Sequence, residues 1–489
     1  MLTRRRLLTA LGVLAPVGIA ARPAWHLGRS YFHDRLPAAP WPVAGADASG
    51  LGSEPVRVVK PAGKLDEIEQ QLREALAQAR ARGQRVSIAG ARHSMGGHTR
   101  LPEQVQLDTS GLSHMELEPS GDVLRAQSGA RFSDVLRYLD ARGASVQVMQ
   151  SNSDFSVGGS LSVNCHGWQP SSPPIAATVS SLRVMLADGS IRTASREHDS
   201  ELFSLVLGGY GLFGIVLEAR LRVTRNQLLS RRTHEVAVAD YAARFASDAA
   251  RANLAFGRLA VAPSARFERA LLTVYEPVPD AGVLPALAAA PEDLMARTIF
   301  RGQVGSDYGK ELRWTAERWF GGEGEATGTV TRNQLLSEPV AVFQNRAPDR
   351  TDILHEYFVP STKLDSFASR ARKLIDQHGA DLLNVTLRNV HEDRDAFLRY
   401  ARTDVFGLVM LFNIERTPAA DQKLGNLARD LIDAAIDCGG TYYLPYRPYA
   451  SPEQFVRAYP MAREFMAKKL RYDPTRLFSN QWYERYVVS

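Results

Sequence analysis

Residues 85–97, Arg-Val-Ser-Ile-Ala-Gly-Ala-Arg-His-Ser-Met-Gly-Gly, carry the reading from which the rest of the chain follows. Val86, Ser87 and Ile88 read as a short buried strand. Gly90 opens a tight loop, and Gly96 and Gly97 close it. Glycines remove the side chains that would hold a large ligand off the backbone, so loop amides can reach phosphates. Arg92-His93-Ser94 lies between them. A histidine in a loop is commonly a surface or turn residue. One flanked by glycines directly after a strand is also placed to act as a nucleophile through an imidazole nitrogen.

Working outward, the chain opens as a domain start. Val56–Val59 reads as a strand ended by Pro61. Leu65, Ile68, Leu72, Leu76 and Ala79 recur at helical spacing, and Gly83 supplies a stop. Val105–Asp108, Met115–Leu117 and Val123–Gln127 follow as strands, with a turn at Pro119–Asp122. Phe132, Val135, Leu136 and Leu139 line one face of a helix. Ser151–Gly167 is a second glycine-rich segment, whose Phe155, Val157, Leu161 and Val163 argue for packed structure rather than a flexible linker. Ser181–Ser195 reads as a hairpin through Asp188-Gly189, and Asp199 as the cap of a helix reaching Val206. A third cluster, Gly208–Gly214, leads into an alternating strand, Ile215–Val223.

This order resembles the flavin-binding half of the vanillyl-alcohol oxidase/p-cresol methylhydroxylase flavoproteins. Gly90-Ala91-Arg92-His93-Ser94 is similar to the Gly-x-x-His-Ser segment of their aldonolactone, alditol and cytokinin oxidoreductases. The resemblance implies an α+β fold: a two-subdomain FAD-binding domain over about 53–226, a sheet-roofed substrate domain over 227–470, and a C-terminal return over 471–489. It implies FAD bonded covalently to His93, with Ala89, Gly90, Ala91, Arg92, Ser94 and Met95 around it. Ser128, Ser153, Asp154, Ser156, Val157, Gly158, Gly159 and Ser162 would follow the cofactor in the second glycine segment, and Gly214, Ile215 and Asn480 would close the site. His98, in a Gly-Gly-His context found in berberine-bridge-type relatives, is the rival attachment point; the Gly-x-x-His-Ser match selects His93. Cys165 follows Gly158-Gly159, whereas doubly attached relatives carry their cysteine before the glycines, so one link is expected.

Residues 227–470 are less regular. In Leu383–Val390 alternation places Asn384, Thr386 and Arg388 on one face and Leu383, Val385 and Leu387 on the other. The alditol and aldonolactone oxidoreductases carry Glu-x-Arg on a comparable strand. Here Arg388 keeps the arginine, and Thr386 stands where the glutamate would be. Arg388 is the candidate for holding the substrate oxygen, since a guanidinium stays protonated and cannot serve as base. Tyr443, Tyr446 and His166 are the candidates for that role. His355–Pro360 resembles a strand of the substrate domain in sugar-oxidising relatives and is expected to be structural.

The bulk numbers agree with a soluble two-domain chain. There are 489 residues, 45% apolar and 23% charged, with a net charge of +6. Arginines are interleaved with acids, which leaves no nucleic-acid footprint. The two cysteines, Cys165 and Cys438, cannot form a disulfide framework or a thiolate metal site, and no metal is expected. No nicotinamide-type glycine fingerprint sits in a strand–turn–helix unit. Arg4-Arg5-Arg6 before the apolar run Leu11–Ala21 reads as a twin-arginine export signal over 1–24, with a linker over 25–52. The expected partners are therefore the twin-arginine machinery, a small substrate, and oxygen or another electron acceptor. The expected location is periplasmic or extracellular, or membrane-anchored if the signal stays uncleaved. The function expected is oxidation of a hydroxyl-bearing carbon by hydride transfer to flavin N5, as an oxidase. A dehydrogenase feeding a membrane or protein acceptor and a non-catalytic flavin-binding protein are the rivals.

Overall fold

The computed structural model describes residues 21–32, 34, 44–289, 294–321, 328–340 and 343–487. The twin arginines and the body of the export signal lie outside the described residues.

Among the described residues three sheets organise the chain, and the fold is α+β. The first contains β1 (Arg57–Val59), β2 (Val86–Ala89) and β3 (Val105–Asp108) in the order β1-β3-β2, all parallel. The helix Leu65–Ala81 makes the crossover. Its Ile68, Leu72, Leu76 and Ala79 fall on one stripe and are buried against Val86, Val105 and Leu107. Gly83, at φ +63°, turns the chain out of the helix. The open edge of β2 is closed by the C-terminal return: the Val86 amide donates to the Leu477 carbonyl at 2.7 Å, and the Ser479 amide to the Val86 carbonyl at 2.9 Å. Asp473 holds that return in shape by accepting from the amides of Leu477 (2.9 Å) and Phe478 (2.8 Å).

The second sheet is antiparallel: β4 (Met115–Leu117), β5 (Val123–Gln127), β6 (Ala144–Val146), β7 (Val179–Met185), β8 (Ile191–Ser195) and β9 (Ile215–Arg225). Its order is β4-β5-β9-β7-β8, with β6 also on β9. The β7–β8 hairpin turns at Gly189 (φ +85°). Asp199 stands at the start of the next helix in a left-handed conformation (φ +51°) and does not cap it; its carboxylate accepts from Arg192 at 3.3 Å instead. The capping expectation is corrected there, because a residue in that conformation turns its side chain away from the first helical amides.

The third sheet holds eight strands among the described residues: β10 (Leu228–Ala237), β11 (Leu254–Leu259), β12 (Arg269–Pro277), β13 (Thr329–Thr331), β14 (Arg350–Pro360), β15 (Leu382–Val390), β16 (Val405–Glu415) and β17 (Thr441–Tyr442). They run in the order β13-β10-β12-β11-β15-β16-β14-β17. Helices Val238–Asp248, Leu364–His378 and Pro418–Asp437 cover one face. Leu383, Val385 and Leu387 point to that face and are wholly buried. The other face is turned toward the glycine-rich loops of the first two sheets.

The stretch expected to be a plain linker takes part in the fold. Residues 21–32 form a helix whose His26 and Ser30 reach the carbonyls of Gly302 and Thr298 (2.7 and 3.1 Å). Residues 44–53 run as a strap over the His93 loop. Asp47 is fully buried, accepts from the Gly97 amide at 3.1 Å and pairs with Arg100 at 3.4 Å. The Ala48 amide donates to the Ser94 carbonyl at 3.0 Å. Pairing of a carboxylate with a loop amide and an arginine supplies order that a Pro/Gly-rich composition does not announce.

Candidate active site

The His93 loop leaves β2 and meets the second glycine segment at once. A side chain at Gly90 would come within 2.2 Å of the Ser156 hydroxyl, so glycine is required there for the two loops to touch. Ser156 uses that hydroxyl to accept from the Ala91 and Gly159 amides, both at 3.3 Å, tying the loops together at the start of the helix Val157–Ser162. Gly158 likewise lies against Ser128, where a Cβ would sit 2.6 Å from the Ser128 Cβ. These glycines serve loop-to-loop contact as much as approach by a ligand. Arg92 is left-handed (φ +60°), a conformation that costs a non-glycine residue about 1–2 kcal/mol. It is held by hydrogen bonds from its guanidinium to Asp108 (2.7 Å) and Gln106 (3.0 Å).

That constraint presents His93. Its ring stacks on Phe155, with centroids 4.0 Å apart and planes 15° off parallel, and its Nε2 lies 3.3 Å from the Asp154 carbonyl. Burial pushes the imidazole down to about 3, so it is neutral, as a nucleophilic nitrogen must be. His98 is buried between Tyr210 (5.2 Å) and Trp482 (5.6 Å), and burial brings it to about 3 as well. Neither of its ring nitrogens has a hydrogen-bond partner among the described residues.

Both loops open on one cavity of about 1130 Å³. Gly90, Ala91, Arg92, His93, Ser94, Met95, Ser128, Ser156, Gly158, Gly159, Ser162 and Gly214 line it, together with Arg388, Tyr443, Tyr446 and His166. Six expected cofactor residues stand behind its wall. Ala89 and Ile215 are fully buried strand residues, and Val157 gives its amide to the Ala130 carbonyl at 2.9 Å. The Ser153 amide goes to the Glu338 carbonyl at 3.0 Å. Asp154 offers its carbonyl to His93 while its carboxylate takes the Val340 amide at 2.6 Å. Asn480 bonds the Tyr210 carbonyl at 3.1 Å and takes the Tyr483 amide at 2.9 Å. The buried hydroxyls of Ser94 and Ser128, with no partner among the described residues, fit a long polar ligand lying along the loops, as FAD would. Cys165 lines the cavity too, but its thiol bonds Gln150 at 3.2 Å and burial pushes it up to about 12, which keeps it from acting as a thiolate.

The floor opposite is the open face of the third sheet. Register aligns rows across β15, β16 and β14: Asn384 with Leu411 and Leu354, Thr386 with Val409 and Glu356, Arg388 with Gly407 and Phe358. The carboxylate missing from position 386 is therefore present in the same row, two strands away, on Glu356. The expectation that His355–Pro360 is purely structural is corrected by this residue. His355 does point to the covered face, toward Tyr357, Phe412 and Tyr449, but alternation sends Glu356 into the cavity. Gly407 makes room for it, since a Cβ there would sit 2.9 Å from Glu356 Oε1.

Arg388 is 7% exposed, lies over the rings of Trp168 (5.1 Å) and Phe256 (5.7 Å), and donates through Nη2 to Ser151 at 2.6 Å. Its Nη1 has no hydrogen-bond partner among the described residues. Burial lowers the guanidinium to about 9, opposed by the Glu356 charge, so it stays charged at neutral pH. Two base candidates are weakened by the structure. The Tyr443 hydroxyl donates to the Val163 carbonyl at 2.9 Å, and burial drives the phenols of Tyr443 and Tyr446 well above their ordinary value, away from the phenolate a base would need. His166 sits with Nε2 2.8 Å from Glu356 Oε1.

Residues 67–195 match a family described as FAD binding domain. The chain is 31% identical over 183 residues to an oxidoreductase, ORF5 in the fasciation locus, of Rhodococcoides fascians, covering 37% of this chain and 40% of that protein. It is 30% identical over 150 residues to D-arabinono-1,4-lactone oxidase of Eremothecium gossypii, covering 30% and 28% of the two chains. It is 29% identical over 137 residues to cytokinin dehydrogenase 2 of Arabidopsis thaliana, covering 28% and 27%. The matches thus span less than half the length of each of these relatives.

Proposed function

We propose that this chain, a member of the FAD-linked oxidoreductase superfamily, oxidises a hydroxyl-bearing carbon of a small polar molecule: a polyol, sugar, aldonolactone or related compound. The observation that carries this reading is a buried, charged Arg388 with an unpartnered Nη1 on the wall of the cavity that the His93 loop also lines. The flavin supplies the two-electron acceptor when bound. Gly90–Met95, Ser128 and Ser156–Ser162 would hold it, and the neutral His93 imidazole would carry it covalently. Arg388 would hold the substrate oxygen and stabilise charge developing there. Trp168, Phe256 and the strap at 46–50 enclose the space and exclude water.

The relatives' names include a lactone oxidase and a dehydrogenase, so the final acceptor is oxygen or another carrier. Assaying polyols, sugars, lactones and hydroxy acids for oxygen uptake, in parallel with dye reduction, tests the reading. Turnover of a member of the panel supports it, and oxygen uptake separates oxidase from dehydrogenase. Inertness of the yellow protein toward every member leaves a flavin-binding protein without this activity. Export by the twin-arginine route belongs to the same proposal. Replacing Arg4 and Arg5 by Lys should strand the protein in the cytoplasm, and unchanged export would exclude that route.

A further inference from the structure

Resting on that reading, we infer that Glu356 is the catalytic carboxylate that takes the substrate's hydroxyl proton, with His166 as its positioning residue. Glu356 comes from β14, outside the strand that carries Arg388, and three features mark it.

First, its side chain is 1% exposed and lines the cavity, in the row adjacent to Arg388 on the same face of the sheet. A carboxylate buried this far normally spends its oxygens on hydrogen bonds. Among the described residues Oε1 has no hydrogen-bond partner, although His166 Nε2 lies 2.8 Å from it. That oxygen keeps a lone pair for a proton from elsewhere, and catalytic hydrogen bonds of this kind commonly align only once substrate is in place.

Second, room for it is built in. Gly407, in the adjacent row on β16, admits the carboxylate where a Cβ would press on Oε1.

Third, two of the other candidates for the base, both phenols, have their protons held. Tyr443 donates to a carbonyl, and the phenols of Tyr443 and Tyr446 are kept protonated by burial with the Glu356 charge beside them.

His166 from the loop after Ser162, Arg388 from β15, and Tyr443 and Tyr446 from the segment after β17 line the same cavity as Glu356. Arg388 is the cation among them that stays charged at neutral pH, so it stabilises both the ionised glutamate and the alkoxide character developing on the substrate.

The step balances within the site. The substrate O–H bond breaks and its proton goes to Glu356 Oε1, giving a carboxylic acid. The C–H hydrogen would leave with its electron pair to the two-electron acceptor that a bound flavin supplies, and the O–H electron pair becomes the second bond of the product carbonyl. His166 limits the carboxylate rotamer by packing beside Oε1, and its Nδ1 is likewise buried without a partner among the described residues.

The test uses the flavin-loaded protein. Glu356→Ala should retain flavin and slow anaerobic flavin reduction by the best panel substrate about 10²–10⁴-fold. Added formate, small enough for the vacated space, should restore the rate in proportion to its concentration. A purely packing role would give no formate rescue, and that result overturns the proposal. His166→Asn should slow reduction less than Glu356→Ala, and Glu356→Asp should recover part of the loss. Without any substrate, the flavin midpoint potential should rise in Glu356→Gln, because a buried negative charge in the cavity disfavours reduced flavin. An unchanged potential would place the carboxylate beyond reach of the reacting centre and overturn the assignment. If no panel member reduces the wild type, the proposed function fails, while the potential still decides where Glu356 acts.

Discussion

The two walls of the cavity are built in opposite ways. The cofactor wall is assembled from contiguous stretches, Gly90–Gly97 and Ser151–Ser162, in which each glycine and hydroxyl acts within a few residues of the next or across a single loop contact. The floor is assembled from one or two residues on each of several strands, Glu356, Thr386, Arg388 and Gly407, which share no sequence neighbourhood and meet through strand register alone. Chemistry carried by a loop survives as a motif. Chemistry carried by register leaves no such motif, because only the pairing of the strands brings Glu356 and Arg388 to one face.

The sharpest way to break this division is at His93. If the cofactor wall holds flavin by itself, His93→Ala should bind FAD but release all of it on acid precipitation, whereas the wild type should keep its yellow colour in the pellet. His98→Ala should behave as wild type. Flavin lost to the supernatant by the wild type would remove the covalent link and leave the non-covalent site.

The complementary prediction belongs to the floor. Arg388→Ala should retain flavin and lose reduction rate by roughly 10²–10³, or ~2.7–4 kcal/mol, the typical loss for one charge-stabilising contact. Loss of flavin instead would show that the two walls do not divide the work. Gly407→Ala probes the same floor more gently. Its methyl would press on Glu356 Oε1 and Phe358, each 2.9 Å from the added Cβ, at a cost of about 1–3 kcal/mol in stability. Reduction should slow with flavin content unchanged, as read by denaturant unfolding and flavin absorbance.

The smallest effect contrasts the two faces of β14. His355, on the covered face, is lowered by burial to about 3, with Arg447 adding to the effect. Below its ordinary value of ~6.5 the unfolded chain takes up a proton that the folded chain does not. Its contribution is therefore neutral above about pH 6.5 and becomes destabilising as pH falls toward 3, by up to about 1.4 kcal/mol per pH unit. His355→Asn should flatten the fall in unfolding free energy between pH 6.5 and 4.5 without touching flavin content. An unchanged slope would mean that His355 takes up a proton in the folded protein.

Legibility follows the same division. The parallel start, the hairpin at Asp188-Gly189 and the Arg388 face of β15 could be read because apolar spacing and turn chemistry are local signals. Glu356 could not be assigned, although alternation from Leu354 to Phe358 would have put it on one face of its strand, because nothing local says which strand lies beside β15. The strap at 44–53 was unreadable for a related reason. Its order comes from Asp47 reaching Gly97 and Arg100, partners about 50 residues away, while its composition is that of a linker. Asp199 failed differently: a left-handed backbone turned a good capping residue away from its helix.

The central claim is that a substrate held by the floor reduces a flavin held by the loops. It is tested most directly by following the absorbance of the purified, flavin-loaded protein near 450 nm under anaerobic mixing with the substrate panel. The account predicts complete, substrate-dependent bleaching with a member bearing an oxidisable hydroxyl, lost in Arg388→Ala at unchanged flavin content. Bleaching that proceeds at the wild-type rate in Arg388→Ala would contradict it.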